Sequence, residues 1–159
     1  MVVLAMFGAL LFAGKIVFEA LPNIHPVAML IMVITVTYRA KALIPIYLFV
    51  IITGLYNGFP TWWIPYMYIW PVLWCMTMLI PQNIPKKIAV IVYPAVCGVY
   101  GIIYGVLYDL TLPLIYGNSL SVAVKSIIAG LYFNVLHAVG NLGMGILVYP
   151  LSNVIKKLK

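Results

Sequence analysis

Residues 5–26 read AMFGALLFAGKIVFEALPNIHP, and this stretch decides how the rest of the chain is organised. Ala5, Ala9 and Ala13 recur every four residues, so they lie on one face of an apolar helix. A row of small side chains lets a second helix backbone approach closely within lipid, where association depends on packing. The row therefore predicts a docking surface for another helix, although alanines are also ordinary helix filler.

A charged pair and a polar break follow this alanine row. Lys15 and Glu19 are again four residues apart, which predicts a buried ion pair near the end of the first helix. Lys15 either extends outward and pairs locally or lines a solvated pocket. A Leu-Pro-Asn sequence at 21–23 interrupts the helix, and His25 with Pro26 starts the next one.

The composition identifies an integral membrane protein. Of the 159 residues, 66% are hydrophobic and 7% are charged, which leaves too few polar residues to cover a soluble domain. Period-two alternation is absent, so the spans are expected to be helices and not strands of a barrel. Cys75 and Cys97 fall inside apolar spans without metal-ligand spacing, and we expect them to be reduced packing residues.

Hydropathy and turn residues predict an all-α membrane protein, a compact six-helix bundle that forms a single transmembrane domain over residues 1–159. The six predicted spans are about 2–21, 24–37, 42–59, 62–80, 88–109 and 122–152. The longest predicted connection covers residues 108–121. The second span has roughly 14 apolar residues, fewer than the roughly 20 that a crossing usually takes, so it either crosses or re-enters.

The basic residues predict the orientation of the bundle. Seven of the nine fall on one side of this layout, namely Arg39, Lys41, Lys86, Lys87, Lys156, Lys157 and Lys159. Because cytoplasmic loops carry the excess of Lys and Arg, this side and both termini are expected in the cytoplasm. The net charge of +7 is thus a topology signal, and no basic, aromatic-interleaved face outside the membrane points to nucleic acid.

Polar and aromatic residues towards the outer side are the candidates for binding. Asn134, His137 and Asn141 share one helix face, where they either join helices, at about 0.6 kcal/mol each, or contact a ligand. Flat side chains with one polar tip suit a small planar ligand. The candidate substrate-binding set is Lys15, Glu19, His25, Asn57, Tyr66, Trp70, Tyr104, Tyr108, Lys125, Asn134 and His137.

The sequence does not have the features of an enzyme. It contains no paired carboxylates in one segment, no phosphate-cradling glycine loop and no metal-ligand cluster, so no catalytic residue, metal or cofactor is expected. Its two acids, Glu19 and Asp109, are peripheral, whereas a proton-coupled carrier more often has several carboxylates within the membrane.

These features together resemble a known family, the substrate-binding S components of energy-coupling factor (ECF) transporters, which are vitamin uptake systems of prokaryotes. The resemblance covers essentially the whole chain of 159 residues. It rests on six predicted helices with both ends inside, the Ala-x-x-x-Ala row at Ala5, Ala9 and Ala13, the Leu-Pro-Asn turn within residues 21–26, and the basic turn after the second helix.

The resemblance implies a multi-pass protein of a prokaryotic plasma membrane that captures a micronutrient at the outer face with high affinity. It implies docking through Ala5, Ala9 and Ala13 onto a membrane scaffold, the T component, below which two ATPases hydrolyse ATP. Such components are thought to topple within the bilayer and carry the ligand inward. Residues 21–26 would form the lid of the site, and the fourth to sixth helices its walls.

Two other classes of protein stay open. A small structural or assembly subunit would use its polar stripes only to join helices and would have a filled bundle, whereas a stand-alone carrier would transport without ATPases. The aromatic walls favour a pyridine-, pterin- or purine-like vitamin or precursor as ligand. The lack of a basic cluster argues against a polyphosphorylated ligand, although Lys15 and Lys125 could meet one carboxylate.

Overall fold

The structure, a computed structural model, describes residues 1–20 and 25–158 and contains no β-strand in these ranges. Three helical stretches, Val27–Asn57, Lys86–Ile115 and Leu120–Gly145, are long and apolar enough to cross a membrane. The predicted all-α class is therefore confirmed, and these stretches support the membrane character that the composition indicates.

Seven α-helices follow one another in the described part of the chain. They are α1 (Val2–Val17), α2 (Val27–Tyr38), α3 (Leu43–Asn57), α4 (Tyr66–Met78), α5 (Lys86–Ile115), α6 (Leu120–Gly145) and α7 (Val148–Leu158). Short 3-10 turns at Arg39–Ala42 and Thr61–Trp63 precede α3 and α4. Arg39 has φ 52° and ψ −122°, and this left-handed conformation separates α2 from α3 within the longer stretch.

Helix α2 is the centre of the bundle. Ten of its 12 residues are buried, and it contacts α1, α4, α5, α6 and α7. A helix that is apolar on every side fits such a position. At 1.5 Å per residue α2 is roughly 18 Å long. This is less than the ~30 Å of a hydrocarbon core, but neighbouring helices and not lipid surround most of it.

Small residues allow two helix pairs to pack closely. Helix α1 packs mainly on α3, where Gly8 lies against Leu48. Helices α5 and α6 form a long hairpin, and a Cβ on Gly101 would lie 2.5 Å from the Ala138 Cα. The close packing of the hairpin therefore depends on glycine at this crossing. Small residues commonly allow two helix backbones to approach closely within membranes.

The connection predicted over residues 108–121 is wrong for most of its length. Helix α5 continues to Ile115 and α6 begins at Leu120, so only a short turn joins them. Pro113 lies in the last turn of α5. A proline there has no N–H to donate to the carbonyl oxygen four residues earlier, and α5 ends two residues after it.

The last predicted span, 122–152, is two helices and not one. Helix α6 ends at Gly145, and α7 begins at Val148 after a turn. Helix α7 contacts α2 and α5 and buries Val148 and Ser152, whereas Lys156 and Lys157 are exposed. The turn thus redirects the end of the chain towards the central helix.

The two ends of the bundle differ in chemistry. Helix α4 begins beside the aromatic segment that holds Trp62, and its last carbonyls, at Met78 and just beyond at Ile80, accept hydrogen bonds from Arg39. We call the end near Trp62 the aromatic end, and the end near Arg39 the basic end.

Candidate functional site

Five rings from four separate segments meet at the aromatic end, and we call them the ring cluster: His25, Tyr66, Trp70, Tyr104 and His137. The His137 ring centroid lies 4.8 Å from that of Tyr104 and 5.2 Å from that of His25. Trp70 lies 5.3 Å from Tyr104 and 5.5 Å from Tyr66. These edge-on and tilted contacts are favourable for aromatic pairs. They join α4, α5, α6 and the residues before α2.

Three nitrogen atoms in the ring cluster are buried without a hydrogen-bond partner among the described residues. They are Nδ1 of His25, Nε1 of Trp70 and Nε2 of His137. A buried polar atom that stays unpaired costs about 1–3 kcal/mol, and native structures contain few of them. These three nitrogens are therefore the atoms of the cluster that keep hydrogen-bonding capacity for a ligand, and of their three residues His137 also lines the cavity beside the cluster.

The imidazole of His25 is neutral near physiological pH. Burial and, to a lesser extent, the nearby positive charge of Lys15 lower the pKa of His25 to about 4. A neutral imidazole carries one donor and one acceptor nitrogen, so His25 can meet either kind of polar group.

A cavity of about 290 Å³ adjoins the ring cluster between α5 and α6. Tyr104 and His137 line it, and they also belong to the cluster. The remaining lining residues are Gly105, Tyr108, Asp109, Gly130, Phe133 and Asn134. Small-molecule pockets usually measure roughly 300–1,000 Å³, so this volume suits a small ring system.

A polar pair crosses the hairpin at this cavity. Asn134 Nδ2 donates a hydrogen bond of 2.9 Å to Asp109 Oδ2. Gly105 lies opposite Asn134, and Gly130 lies opposite Asp109, at positions where a Cβ would overlap the polar side chain. Asp109 is outside the candidate set derived from the sequence. The signal that could have found it is the repeated four-residue spacing of a glycine and a polar residue on both helices.

Tyrosine hydroxyls connect α5 to the start of α4. Tyr104 Oη donates to Tyr66 Oη, and Tyr108 Oη donates to the Trp62 carbonyl oxygen, both at a long 3.4 Å. The rings of Tyr104 and Tyr108 are stacked, with their planes 9° apart. These contacts join α5 to the start of α4 and to the turn before it.

Lys15 reaches the aromatic end, but not in the way the sequence predicts. Its Nζ lies 5.7 Å from the Trp62 ring centroid, within cation–π range. Glu19 follows the end of α1 at Val17 and is exposed. The predicted buried ion pair of Lys15 and Glu19 is therefore wrong, because a four-residue spacing aligns two side chains only while the helix continues.

Two further candidates are not brought into the ring cluster. Asn57 is exposed, and its Nδ2 donates 2.8 Å to the Thr53 carbonyl oxygen on its own helix. Lys125 is exposed on α6, 12 residues before His137, which is roughly 18 Å along a helix. Of the predicted lid at 21–26, only His25 and Pro26 are described; the other four residues lie outside the described ranges.

The alanine row on α1 faces outward. Ala5, Ala9 and Ala13 are all exposed, whereas Gly8 and Leu11 on the other face are buried. Because α1 packs mainly on α3 through the buried face, the small side chains of the row remain accessible to another helix.

The described residues give no sign of a metal site or a disulfide. No group of three His, Cys, Asp or Glu side chains among them could hold a metal ion. Both cysteines are free. Cys97 is buried as expected, but Cys75 is exposed, so only one of them is a packing residue.

Comparison with known proteins assigns the chain to no family. No family model matches the chain. No curated protein and no solved structure matches it either. The site therefore carries the functional argument.

Proposed function

We propose that this chain is the high-affinity substrate-binding subunit of an ATP-driven micronutrient importer of the ECF type. The observation that carries the proposal is the set of three buried nitrogens, on His25, Trp70 and His137, that have no hydrogen-bond partner among the described residues. A polar stripe that only joined helices would be expected to pair these atoms with one another, as buried polar groups normally are. A ligand bound against the ring cluster would supply the missing partners.

The ligand that fits this site is a small planar heterocycle, such as a pyridine-, pterin- or purine-like vitamin or precursor. Indole Nε1 of Trp70 is a donor only, so the ligand needs at least one acceptor there. The imidazoles of His25 and His137 can form hydrogen bonds with a second edge of the ligand. The rings of Tyr66 and Tyr104 supply flat apolar walls.

In this proposal the chain crosses the plasma membrane of a prokaryote six times, with α6 and α7 together forming the last crossing. Arg39, Asn83 and Lys156 line one pocket, so the turn after α2, the loop before α5 and the end of α7 share the basic end. The positive-inside rule then places the basic end and both termini in the cytoplasm. The ring cluster faces outward.

The exposed alanine row is the proposed docking surface for a T scaffold subunit. Ala5, Ala9 and Ala13 would allow a scaffold helix to approach α1 closely. Two ATPases bound to that scaffold would supply the energy, since this sequence contains no phosphate-binding glycine loop of its own.

One observation favours the alternative of a small structural or assembly subunit. The hydrogen bond between Asn134 and Asp109 is satisfied within the hairpin, as a purely structural contact would be. The two functions differ in what the purified chain does alone, because only the binding subunit recognises a small molecule.

A thermal-shift screen of the full chain in mild detergent tests the proposal. A ligand present at 100 times its Kd adds about 2.7 kcal/mol to the free energy of unfolding. At about 2–4 °C per kcal/mol, this raises the Tm by roughly 5–11 °C. We expect one of the pyridine, pterin or purine classes to do so. If none raises the Tm, the structural subunit becomes the better account.

A further inference from the structure

A polar pocket of about 340 Å³ lies at the basic end and is separate from the ring cluster. Arg39 and Lys156 line it, together with the amide side chains of Gln82 and Asn83. The chain has only two acids, and both, Glu19 and Asp109, lie away from this pocket. Among the residues that the structure describes, no carboxylate side chain lines this pocket, so its lining is positively charged.

Arg39 holds its charge in a fixed position. Its Nη2 donates 2.7 Å to the Met78 carbonyl oxygen, and its Nη1 donates 3.2 Å to that of Ile80. Its own carbonyl oxygen accepts 3.1 Å from Nε1 of Trp74. These bonds use two of the five guanidinium donors and leave the others for an anion. Because the guanidinium is already ordered, an anion would bind without having to immobilise it.

An apolar groove of about 730 Å³ adjoins the polar pocket. Leu79 and Ile88 line it and are 85% and 50% exposed, so the groove is open to the surroundings of the bundle. Asn83 lines both the groove and the polar pocket. The polar pocket and the apolar groove are thus neighbours that share the side chain of Asn83 at the basic end.

We propose that this composite site binds one anionic phospholipid, with its phosphate in the polar pocket and an acyl chain in the groove. The positive charge of Arg39 and Lys156 selects the anionic headgroup. The open groove beside it accepts an apolar chain, which a soluble phosphate lacks. The site is distinct from the ring cluster and does not depend on the importer function.

Native mass spectrometry of the full chain in non-ionic detergent tests this site. The probes are dioleoyl phosphatidylglycerol, dioleoyl phosphatidylcholine and glycerol 3-phosphate. The two lipids share their acyl chains and differ in net charge, and glycerol 3-phosphate has a phosphate without acyl chains. We expect phosphatidylglycerol to bind about tenfold more tightly than phosphatidylcholine, and glycerol 3-phosphate not to displace it at equal concentration.

Two matched pairs of variants locate the lipid. Lys156→Gln should weaken binding of phosphatidylglycerol about fivefold, the effect of one basic residue near a membrane surface, whereas Lys157→Gln, next to it but outside the pocket, should leave it within twofold. Ile88→Trp should fill the groove and weaken binding, whereas Ile91→Trp should not, since Ile91 is exposed outside the groove.

The side chains at all four substituted positions are exposed, so the Tm of each variant should match that of the unchanged chain. An unchanged Tm would show that a loss of lipid binding is not caused by misfolding. Equal binding of the two lipids would overturn the proposal. Equal losses in Lys156→Gln and Lys157→Gln would reduce it to general attraction by the basic end. Displacement of the lipid by glycerol 3-phosphate would identify a phosphate site without a role for the groove.

Discussion

Replacing His137 by phenylalanine should make the protein more stable and, at the same time, a poorer ligand binder. His137 is 3% exposed, and its Nε2 has no partner among the described residues. Phenylalanine keeps the ring contacts with Tyr104 and His25 but removes the unpaired nitrogen. The cavity of about 290 Å³ beside His137 can accommodate the slightly larger ring.

The change in stability and the change in ligand affinity can be calculated separately. The unpaired buried nitrogen costs about 1–3 kcal/mol, and we take the lower value of about 1 kcal/mol as the gain because the larger ring requires some repacking. That corresponds to a rise in Tm of about 2–4 °C for a chain of this length. A bound ligand would lose its partner at position 137 and leave its own polar atom unpaired. This costs about 1–3 kcal/mol, or roughly 5- to 150-fold in Kd.

The assay has two parts. Thermal unfolding of protein depleted of ligand, followed by tryptophan fluorescence in detergent, compares stabilities without a contribution from the ligand. The amount of small molecule retained per mole is measured on the protein as purified. Asn141→Leu is the matched control, because its Nδ2 is also buried and unpartnered but lies one turn away on α6, outside the ring cluster. Asn141→Leu should raise the Tm similarly and retain the small molecule. A His137→Phe variant that bound as much small molecule as the unchanged chain would refute the role given to His137.

Three further predictions address docking, hairpin packing and topology. Ala9→Trp places a large ring on the exposed alanine row and should block cellular uptake while leaving the Tm within 2 °C. Gly105→Ala forces a methyl group into Asn134 and should lower the Tm by about 2–12 °C, the equivalent of about 1–3 kcal/mol. Asn118→Cys, in a chain with Cys75→Ser, should react with a membrane-impermeant maleimide in intact cells, because the proposed orientation places the turn between α5 and α6 outside the cell.

Each of these predictions has a control within the chain. Val3→Trp is also at an exposed position but lies about 120° around α1 from Ala9, and it should permit uptake. In Gly143→Ala the added methyl group lies in open space among the described residues outside its own helix, and the Tm should not fall. Lys157→Cys should react only in opened cells. The docking assignment would be contradicted if Ala9→Trp took up substrate at the unchanged rate. The hairpin packing would be contradicted by a Gly105→Ala variant with an unchanged Tm, and the orientation by labelling of Lys157→Cys in intact cells.

Much of the ring cluster could be predicted because hydropathy fixes the depth of each residue. Successive membrane helices alternate in direction, so residues at equal distances from one side meet at one level. Trp70, Tyr104 and His137 were expected towards the same end, and the structure brings their rings together although they lie on three helices. The unpartnered state of their nitrogens could not be predicted, since it depends on which rotamers the packed cluster allows.

Other features depend on tertiary contacts that a single sequence does not display. The pair of Asp109 and Asn134 forms because the α5–α6 hairpin places Gly105 and Gly130 opposite them. The position of Asp109 along the predicted fifth span indicated only that it lies near the end of that span. The break before α7 follows from contacts with the buried central helix, which hydropathy does not distinguish from lipid. The four-residue spacing of Lys15 and Glu19 predicted an ion pair that does not form, because α1 ends before Glu19.

The most direct test of the central claim is mass spectrometry of the small molecules released from the full chain after purification in mild detergent without added ligand. The account predicts one aromatic heterocycle, near one mole per mole of protein, that carries a ring acceptor for Trp70 and is lost in His137→Phe. Protein purified without any bound heterocycle, and unable to bind one from the pyridine, pterin or purine classes, would contradict it.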